Sequence, residues 1–182
     1  GDVRLTNSGT INSDFDALDV DHNGTGNIDI ITLASSVITA DDNGIEAEHD
    51  GEGDITITNA GTINAYGDGI DADHDDEGDI TITNAGAINA DYNGIYAEHD
   101  GEGVIAITNT GTINSGNDGI YAYHDDEGDI TITNTGTGTI NAYRDGIDAS
   151  HDGEGNISIT NNGTIIAGDN GIEANHDDEG DI

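Results

Sequence analysis

The sequence predicts an all-β protein, a parallel β-helix (β-solenoid) with three short strands in each coil. Three features predict this fold class: a unit of about 25 residues that recurs seven times, apolar residues that alternate with polar ones, and glycine corners at fixed positions. A constant period in this range is typical of stacked units, each of which contacts only its neighbours. We therefore expect residues 1–182 to form a single repeat array.

Each repeat begins at a recurring glycine. The seven units span residues 1–25, 26–52, 53–77, 78–102, 103–127, 128–154 and 155–179, and residues 180–182 begin an eighth. Because the chain starts without Met and stops inside a repeat, we expect it to be a mature or excerpted piece of a longer polypeptide.

The clearest repeat, GDITITNAGTINAYGDGIDADHDDE, shows how one coil is built. Residues 54–58 alternate apolar and polar side chains, which is the period of a β-strand. A corner at 59–61 separates them from a second strand at 62–65. A further turn at 67–69 leads to a third strand at 70–74, after which an acidic segment closes the coil.

Stacked coils place equivalent residues about 4.8 Å apart, so each recurring apolar position becomes a column in the core. The predicted core columns are Ile55, Ile80, Ile105, Ile130 and Ile157; Ile57, Ile82, Ile107, Ile132 and Ile159; Ile63, Ile88, Ile113, Ile140 and Ile165; Ile70, Ile95, Ile120, Ile147 and Ile172; and Ala72, Ala97, Ala122, Ala149 and Ala174.

The corners also recur. An Asp-Gly or Asn-Gly pair precedes the third strand, and we expect it to supply positive φ at little steric cost. A second corner carries asparagines whose stacked amides are expected to hydrogen-bond along the axis: Asn7, Asn59, Asn84, Asn109, Asn134 and Asn161. The two 27-residue repeats carry their insertions around 31–37 and 133–139, where we expect outward bulges.

The charge of the chain limits its partners. There are 39 acidic residues against two basic ones, for a net charge of −37. Nucleic acid and anionic membranes need a positive surface, so we expect neither as a partner. No apolar run is long enough for a membrane helix, and no signal peptide is evident. The absence of Cys rules out disulfides and thiolate metal sites.

The phrase T-N-x-G-[TA]-I carries a family resemblance. It occurs at 6–11, 58–63, 83–88, 108–113 and 160–165. With the preceding G-[DN]-[IV]-x-[IV], it resembles the β-helical repeats of bacterial autotransporter passengers and haemagglutinin-like extracellular adhesins. The resemblance implies a right-handed helix, a location outside the cell or on its surface, and a role as a stalk.

A carboxylate-rich segment, H-D-x-E-G-D, closes the repeats; the first copy has Asn23, Thr25 and Asn27 instead of the three acids, and Val104 and Asn156 replace the last Asp in two other copies. Two carboxylates about 4.8 Å apart repel by roughly 3–4 kcal/mol at an effective dielectric near 20. Oxygen-only clusters suit Ca²⁺, so we hypothesise that Ca²⁺ binds in or between these corners and couples assembly to folding. The candidate ligands are Asp50, Glu52, Asp54, Asp75, Glu77, Asp79, Asp100, Glu102, Asp125, Glu127, Asp129, Asp152, Glu154, Asp177 and Glu179.

Two simpler interpretations of the acidity remain open. The carboxylates are solvated and neutralised by diffuse counterions, or the protein works in concentrated salt that screens them. The loop matches neither the EF-hand order of acids nor the nonapeptide of calcium β-rolls.

One histidine recurs in every repeat, at the end of the third strand. The strand parity set by Ile70 and Ala72 points His74 inward or into the corner. We therefore expect a neutral, stacked histidine ladder; a column that binds Zn²⁺ or Ni²⁺ is the alternative. The seven residues are His22, His49, His74, His99, His124, His151 and His176.

A repetitive rod of this kind could be an enzyme, an ice-binding protein or a structural element. A polysaccharide-active enzyme needs a unique constellation of groups, but here each carboxylate copies its neighbours and Arg4 and Arg144 lie far apart, so we expect no catalytic residue. An ice-binding face would use the T-x-T triplets at 56–58, 81–83 and 131–133, which other repeats interrupt. We favour a structural or adhesive solenoid, part of a stalk or filament.

The partners expected of this solenoid follow from its ends and its exposed tyrosines. The first and last residues are in the same phase of the repeat, so either the array continues in a longer chain or copies stack end to end. Exposed tyrosines are expected to cover adjacent coils or to contact a glycan, the cell surface or a neighbouring rod.

Overall fold

The computed structural model describes residues 1–178 and 180–182 as an all-β solenoid with three strands in each of seven coils. The strands form three parallel sheets of seven strands, and successive coils contribute neighbouring strands to every sheet. The predicted fold class is thereby confirmed.

The first sheet contains β1 (Val3–Asn7), β4 (Ile28–Thr32), β7 (Ile55–Asn59), β10 (Ile80–Asn84), β13 (Ile105–Asn109), β16 (Ile130–Asn134) and β19 (Ile157–Asn161). The second contains β2 (Thr10–Ser13), β5 (Val37–Ala40), β8 (Thr62–Ala65), β11 (Ala87–Ala90), β14 (Thr112–Ser115), β17 (Thr139–Ala142) and β20 (Thr164–Ala167). The third contains β3 (Leu18–His22), β6 (Ile45–His49), β9 (Ile70–His74), β12 (Ile95–His99), β15 (Ile120–His124), β18 (Ile147–His151) and β21 (Ile172–His176).

Equivalent residues of successive coils pair with one another throughout. Ile80, for example, pairs with Ile55 on one side and Ile105 on the other. The insertions of the two longer repeats turn outward after β4 and β16, and Leu33 in the first of them is 43% exposed. The strands that follow the insertions, β5 and β17, pair with the next coil without a shift in register.

The predicted isoleucine and alanine columns form the core. Within the middle coils their members are almost completely removed from solvent; Ile57, Ile82 and Ala72 are each 0% exposed. In the last coil, which no following coil covers, Ile159 and Ile165 are only partly buried, and Ile172, which was predicted to lie in the core, is 44% exposed. Full burial of an isoleucine side chain stabilises by about 1.5–3 kcal/mol, so these columns supply most of the favourable free energy of each coil.

The expected role of the Asp-Gly and Asn-Gly corners is wrong in one respect. Positive φ is found at four of the glycines that open a repeat, Gly26, Gly53, Gly78 and Gly128, and not at the corner glycines. Gly69 is needed for space instead: a Cβ there would overlap Ile88 Cγ2 and lie 2.6 Å from the carbonyl oxygen of Gly94. Close approach of successive backbones therefore selects glycine at this corner.

The predicted amide ladder lies inside the corner between the first and second strands. Asn84 Nδ2 donates to Asn109 Oδ1 at 2.9 Å, and Asn109 Nδ2 donates to Asn134 Oδ1 at 2.9 Å. Both side chains are 0% exposed. Because an unpaired buried amide costs about 1–3 kcal/mol, the ladder holds the coils in one register.

Candidate functional site

A continuous ladder of histidine rings supports the acidic corner. Neighbouring rings stack with centroids 4.7–4.9 Å apart. Each Nε2 lies 2.5–2.8 Å from the carbonyl oxygen of the glycine that opens the same repeat. Each Nδ1 accepts a backbone N–H from two residues further on, at 3.0–3.3 Å.

This pattern of partners fixes the protonation state of the rings. Nδ1 accepts a hydrogen bond and so carries no proton, while Nε2 faces a carbonyl and must donate. The rings are therefore neutral with the proton on Nε2. Burial, together with the neighbouring rings, lowers the pKa of His99 to about 4, and burial lowers the pKa of His74 and His124 as well. Both nitrogens are used, so the ladder offers no free ligand to a metal.

The predicted calcium ligands lie on the outside of this ladder. In the second to seventh coils the Asp that follows His is exposed and lines the closing corner, and the Glu two residues later is exposed there in the second to sixth coils. Asp54 is half-buried, whereas Asp79 and Asp129 are exposed. Glu179 lies outside the described residues. Across residues 1–178 and 180–182, no three His, Asp or Glu side chains converge in a geometry that could hold a metal ion.

The last Asp of the H-D-x-E-G-D segment already accepts a backbone hydrogen bond. Asp54 Oδ1 accepts the backbone N–H of Asp79 at 3.1 Å, and Asp79 Oδ1 accepts that of Val104 at 3.0 Å. Each carboxylate thus caps the next coil through one oxygen. The side chain of Val104 has no oxygen, so it cannot accept the corresponding backbone N–H of the next coil. This ladder is therefore interrupted between the fifth and sixth coils.

The most strongly perturbed carboxyls lie on the outer face of the third sheet, here called the acidic face. Its outward side chains include Glu46, Glu48, Asp71, Asp73 and Glu98. Burial raises the pKa of Asp71 to about 7, and the charges of Asp68 and Glu46 add to the effect. Burial and the charge of Glu98 raise the pKa of Asp73 to about 7.

The acidic face is missing from the predicted calcium ligands. Strand alternation in the sequence indicates that Asp71 and Asp73 point outward in adjacent rows. It does not indicate how strongly the neighbouring side chains desolvate them. Asn43, whose Nδ2 donates to Asp71 Oδ2 at 3.3 Å, belongs to a different corner of the preceding coil, and such a contact follows only from the stacked structure.

Tyrosines relieve part of the crowding on this face. The rings of Tyr96 and Tyr121 stack with centroids 5.2 Å apart, and the Tyr96 hydroxyl donates to Glu98. Tyr123 donates to Asp152 at 2.9 Å and to Asp125 at 3.3 Å. These phenols keep their protons, because burial raises the pKa of Tyr96 and the bond to Asp152 raises that of Tyr123. They therefore act as hydrogen-bond donors to the acids.

Another side-chain ladder holds the corner that precedes the third strand. Asp68 Oδ1 accepts the backbone N–H of Asn93 at 2.7 Å, and Asp118 Oδ1 accepts that of Asp145 at 2.9 Å. Burial raises the pKa of Asp68 to about 6, and the bonds from Asn93 offset part of that increase. Arg144 Nη1 lies 3.7 Å from Asp118 Oδ2, so one of the two basic residues neutralises this corner.

Comparison with protein-family models, curated proteins and solved structures finds no significant match to this chain. In the described part of the chain, no helix is present that could cross a bilayer.

Proposed function

We propose that the chain is a structural segment of an extracellular stalk or filament, a rod that holds adhesive surfaces at a distance. The observation that carries this proposal is the unbroken register of seven coils in all three sheets. Ladders of side chains run along the axis at each of the three corners of the coil, so successive coils are held in register on every side. Such a construction extends by addition of coils without any change in its cross-section.

The dimensions suit a spacer. Seven coils at the spacing of β-strands rise about 34 Å, and each further coil adds about 4.8 Å. The resemblance of the T-N-x-G-[TA]-I phrases to those of autotransporter passengers and surface adhesins supports a location outside the cell. It also supports continuation of the array in a longer chain or by end-to-end contact of copies.

Cation binding is part of the proposal. The exposed corner carboxylates recur in successive coils from the second to the sixth, and the neighbouring acidic face already holds carboxyls whose pKa is raised toward neutrality. Flexible exposed Asp and Glu side chains can rearrange around Ca²⁺, which accepts six to eight oxygens in loose geometry. We propose Ca²⁺ ions shared between successive coils, with the carboxylates moving to meet them.

The two alternatives are less well supported. On the first sheet, full outward threonine pairs occur in consecutive coils only at Thr56 and Thr58 and at Thr81 and Thr83, and Ala106 interrupts the next coil. That patch is small for an ice-binding surface. An enzyme would need a group that differs from its repeats, and Arg144 is engaged by Asp118 and by Asp169, 3.9 Å away.

The experiment is to change the number of coils. A second copy of 78–102 is inserted after residue 102, and in another variant 78–102 is deleted. Small-angle X-ray scattering should show the length changing by about 4.8 Å per coil at constant cross-sectional radius. A matched control inserts half a repeat, which breaks the register and should lower the melting temperature. Growth in all three dimensions would refute the rod.

A further inference from the structure

A groove runs along the outer side of the second sheet and the corner that follows it. It encloses about 700 Å³ and crosses the coils from the second to the sixth. Its floor carries one asparagine from each of four successive coils, Asn64, Asn89, Asn114 and Asn141. Neither the calcium hypothesis nor the rod accounts for this groove.

The four amides form a ladder of their own on the surface. Asn89 Nδ2 donates to Asn64 Oδ1 at 2.9 Å, Asn114 Nδ2 to Asn89 Oδ1 at 2.8 Å, and Asn141 Nδ2 to Asn114 Oδ1 at 2.8 Å. A carboxamide has two N–H donors and two acceptor lone pairs. Asn64 Nδ2 also donates to the carbonyl oxygen of Ile38 at 3.3 Å, so each amide keeps at least one donor and one acceptor for a ligand, repeated about every 4.8 Å.

Asparagine is an unusual choice at these positions. It is depleted in strands, where threonine is favoured on a half-exposed face, and threonine occupies many of the outward positions of the first sheet. The buried ladder through Asn84 and Asn109 already fixes the register. The half-buried ladder is confined to the coils that the groove crosses, since Thr39 precedes it and Ile166 follows it.

Exposed aromatic rings stand at both ends of the amide row. Tyr66 lies in the same coil as Asn64 and is 65% exposed, and Tyr143 lies in the same coil as Asn141 and is 77% exposed. In the two coils between these tyrosines, the equivalent positions are occupied by Asp91 and Gly116, which are smaller and leave the centre of the groove open. Three coil spacings, about 14 Å, separate the two tyrosines along the axis.

The charge of the groove decides what it can hold. In the described part of the chain, Asp91 is the one acidic side chain among the lining residues, and no basic side chain lines the groove. Asp91 and the net charge of −37 repel anions, while cations are drawn more strongly to the acidic face. Paired donors and acceptors in a row, with aromatic faces at the ends, match the hydroxyl pairs and apolar C–H faces of sugar rings.

We propose that this groove binds a neutral linear oligosaccharide along the axis of the solenoid, with the amide ladder holding its hydroxyl groups and Tyr66 and Tyr143 stacking on its terminal rings. The inference goes beyond the proposed rod and does not depend on it. It would give the rod an adhesive surface of defined chemistry.

The test is binding of neutral linear oligosaccharides of four to six units (gluco-, manno-, xylo- and chito-series) to the full chain by calorimetry and ¹⁵N NMR. The side-chain amide signals of Asn89 and Asn114 should shift, whereas those of the buried Asn84 and Asn109 should not. Tyr66→Ala and Tyr143→Ala should each weaken binding about tenfold, and Asn89→Thr combined with Asn114→Thr should abolish it.

Matched controls lie outside the groove. Tyr92 is 55% exposed but does not line it, and Asn12 occupies the same column in the first coil. Tyr92→Ala and Asn12→Thr should therefore bind as the parent does, and thermal melts confirm that every variant is folded. The proposal is overturned if no neutral oligosaccharide in the panel binds. It is also overturned if the groove variants bind like the parent, or if an anionic oligosaccharide or an extended peptide binds more tightly.

Discussion

His99 stacks on His74 with ring centroids 4.7 Å apart, and neither ring can take a second proton without losing a backbone hydrogen bond. Nδ1 of His99 accepts the N–H of Gly101, so protonation there would break that bond. It would also place a positive charge between two neutral rings. The histidine ladder is therefore stable only in its neutral form, and it ties the acidic corner to the core.

We expect the ladder to lose stability in acid. The pKa of His99 falls from 6.5 in the unfolded chain to about 4 in the folded one, so the unfolded state binds more protons between these values. The contribution of the neutral His99 ring to the stability of the folded protein is complete above pH 6.5 and decreases as the pH falls to about 4. His99→Gln cannot be protonated and should cost about 1–3 kcal/mol at pH 7.5.

Urea unfolding of the parent and His99→Gln at several pH values measures this effect. The difference in their free energies of unfolding should shrink as the pH falls from 6.5 to 4. Nitrogen chemical shifts of the imidazoles at pH 7 should report the Nε2–H tautomer. Imidazolium at pH 6, or a difference that does not change with pH, would contradict the assignment.

Asp71 has the opposite dependence on pH. Its folded pKa of about 7 lies above the unfolded value of 3.8, so the folded state binds more protons in between, and stability falls as the pH rises through that window. The free energy of unfolding of Asp71→Asn should therefore exceed that of the parent at pH 8, by about 1–2 kcal/mol after allowance for solvent screening. The advantage should vanish near pH 4.

The control for this prediction is Asp91→Asn, which removes an exposed carboxylate that is not among the candidate calcium ligands. Substitution there should change the free energy of unfolding by less than about 0.5 kcal/mol. If Asp71→Asn were no more stable than the parent at pH 8, the crowding on the acidic face would have to be relieved in some other way.

Much of the fold can be predicted from the sequence, because a repeat converts local patterns into columns. The second and third strands of the clearest repeat, 62–65 and 70–74, have the predicted bounds. The reason for glycine at position 69 was not predicted correctly. Glycine is needed there because the next coil lies too close for a Cβ, and not because of the local dihedral angle. The pKa of Asp71 and the shape of the groove at Tyr66 depend on desolvation and on several coils at once, which a single repeat does not reveal.

The two asparagine ladders should differ in their effect on stability. Asn109→Ala removes the acceptor of Asn84 Nδ2 and the donor to Asn134 Oδ1 in a fully buried position, so it should cost about 1–3 kcal/mol. Asn109→Thr should cost less, because Thr32 already takes this place in the second coil and contacts Asn59. Asn114→Ala, on the surface, should change stability by about 0.5 kcal/mol or less. Equal losses at 109 and 114, read from thermal melts, would refute the distinction.

Gly69 and Gly136 provide a test of backbone packing. Gly69→Ala should destabilise by about 1–3 kcal/mol or more, because the added Cβ meets Ile88 and the backbone of Gly94. At Gly136 the nearest atom to such a Cβ is 3.7 Å away, so Gly136→Ala should be neutral or stabilise by about 0.4–1 kcal/mol. Chemical denaturation of both variants measures the difference. A neutral Gly69→Ala would mean that the coils can separate without cost.

Removal of calcium should weaken the stack if the ion is bound between coils. A ligand present at a hundred times its dissociation constant stabilises the folded state by about 2.7 kcal/mol, so millimolar Ca²⁺ should raise the melting temperature and EDTA should reverse the rise. Na⁺ at equal ionic strength distinguishes binding from screening, because diffuse counterions would produce the same increase.

Val104 offers a specific variant for the calcium experiment, because it interrupts the column of acids between Asp79 and Asp129. Val104→Asp adds a carboxylate to the column of acids and should enlarge the increase in melting temperature produced by Ca²⁺. Asp91→Asn, outside the corner, should leave that increase unchanged. If Na⁺ reproduces the rise in melting temperature, or if Val104→Asp does not enlarge it, the carboxylates of the acidic corner are simply solvated and bind no specific Ca²⁺.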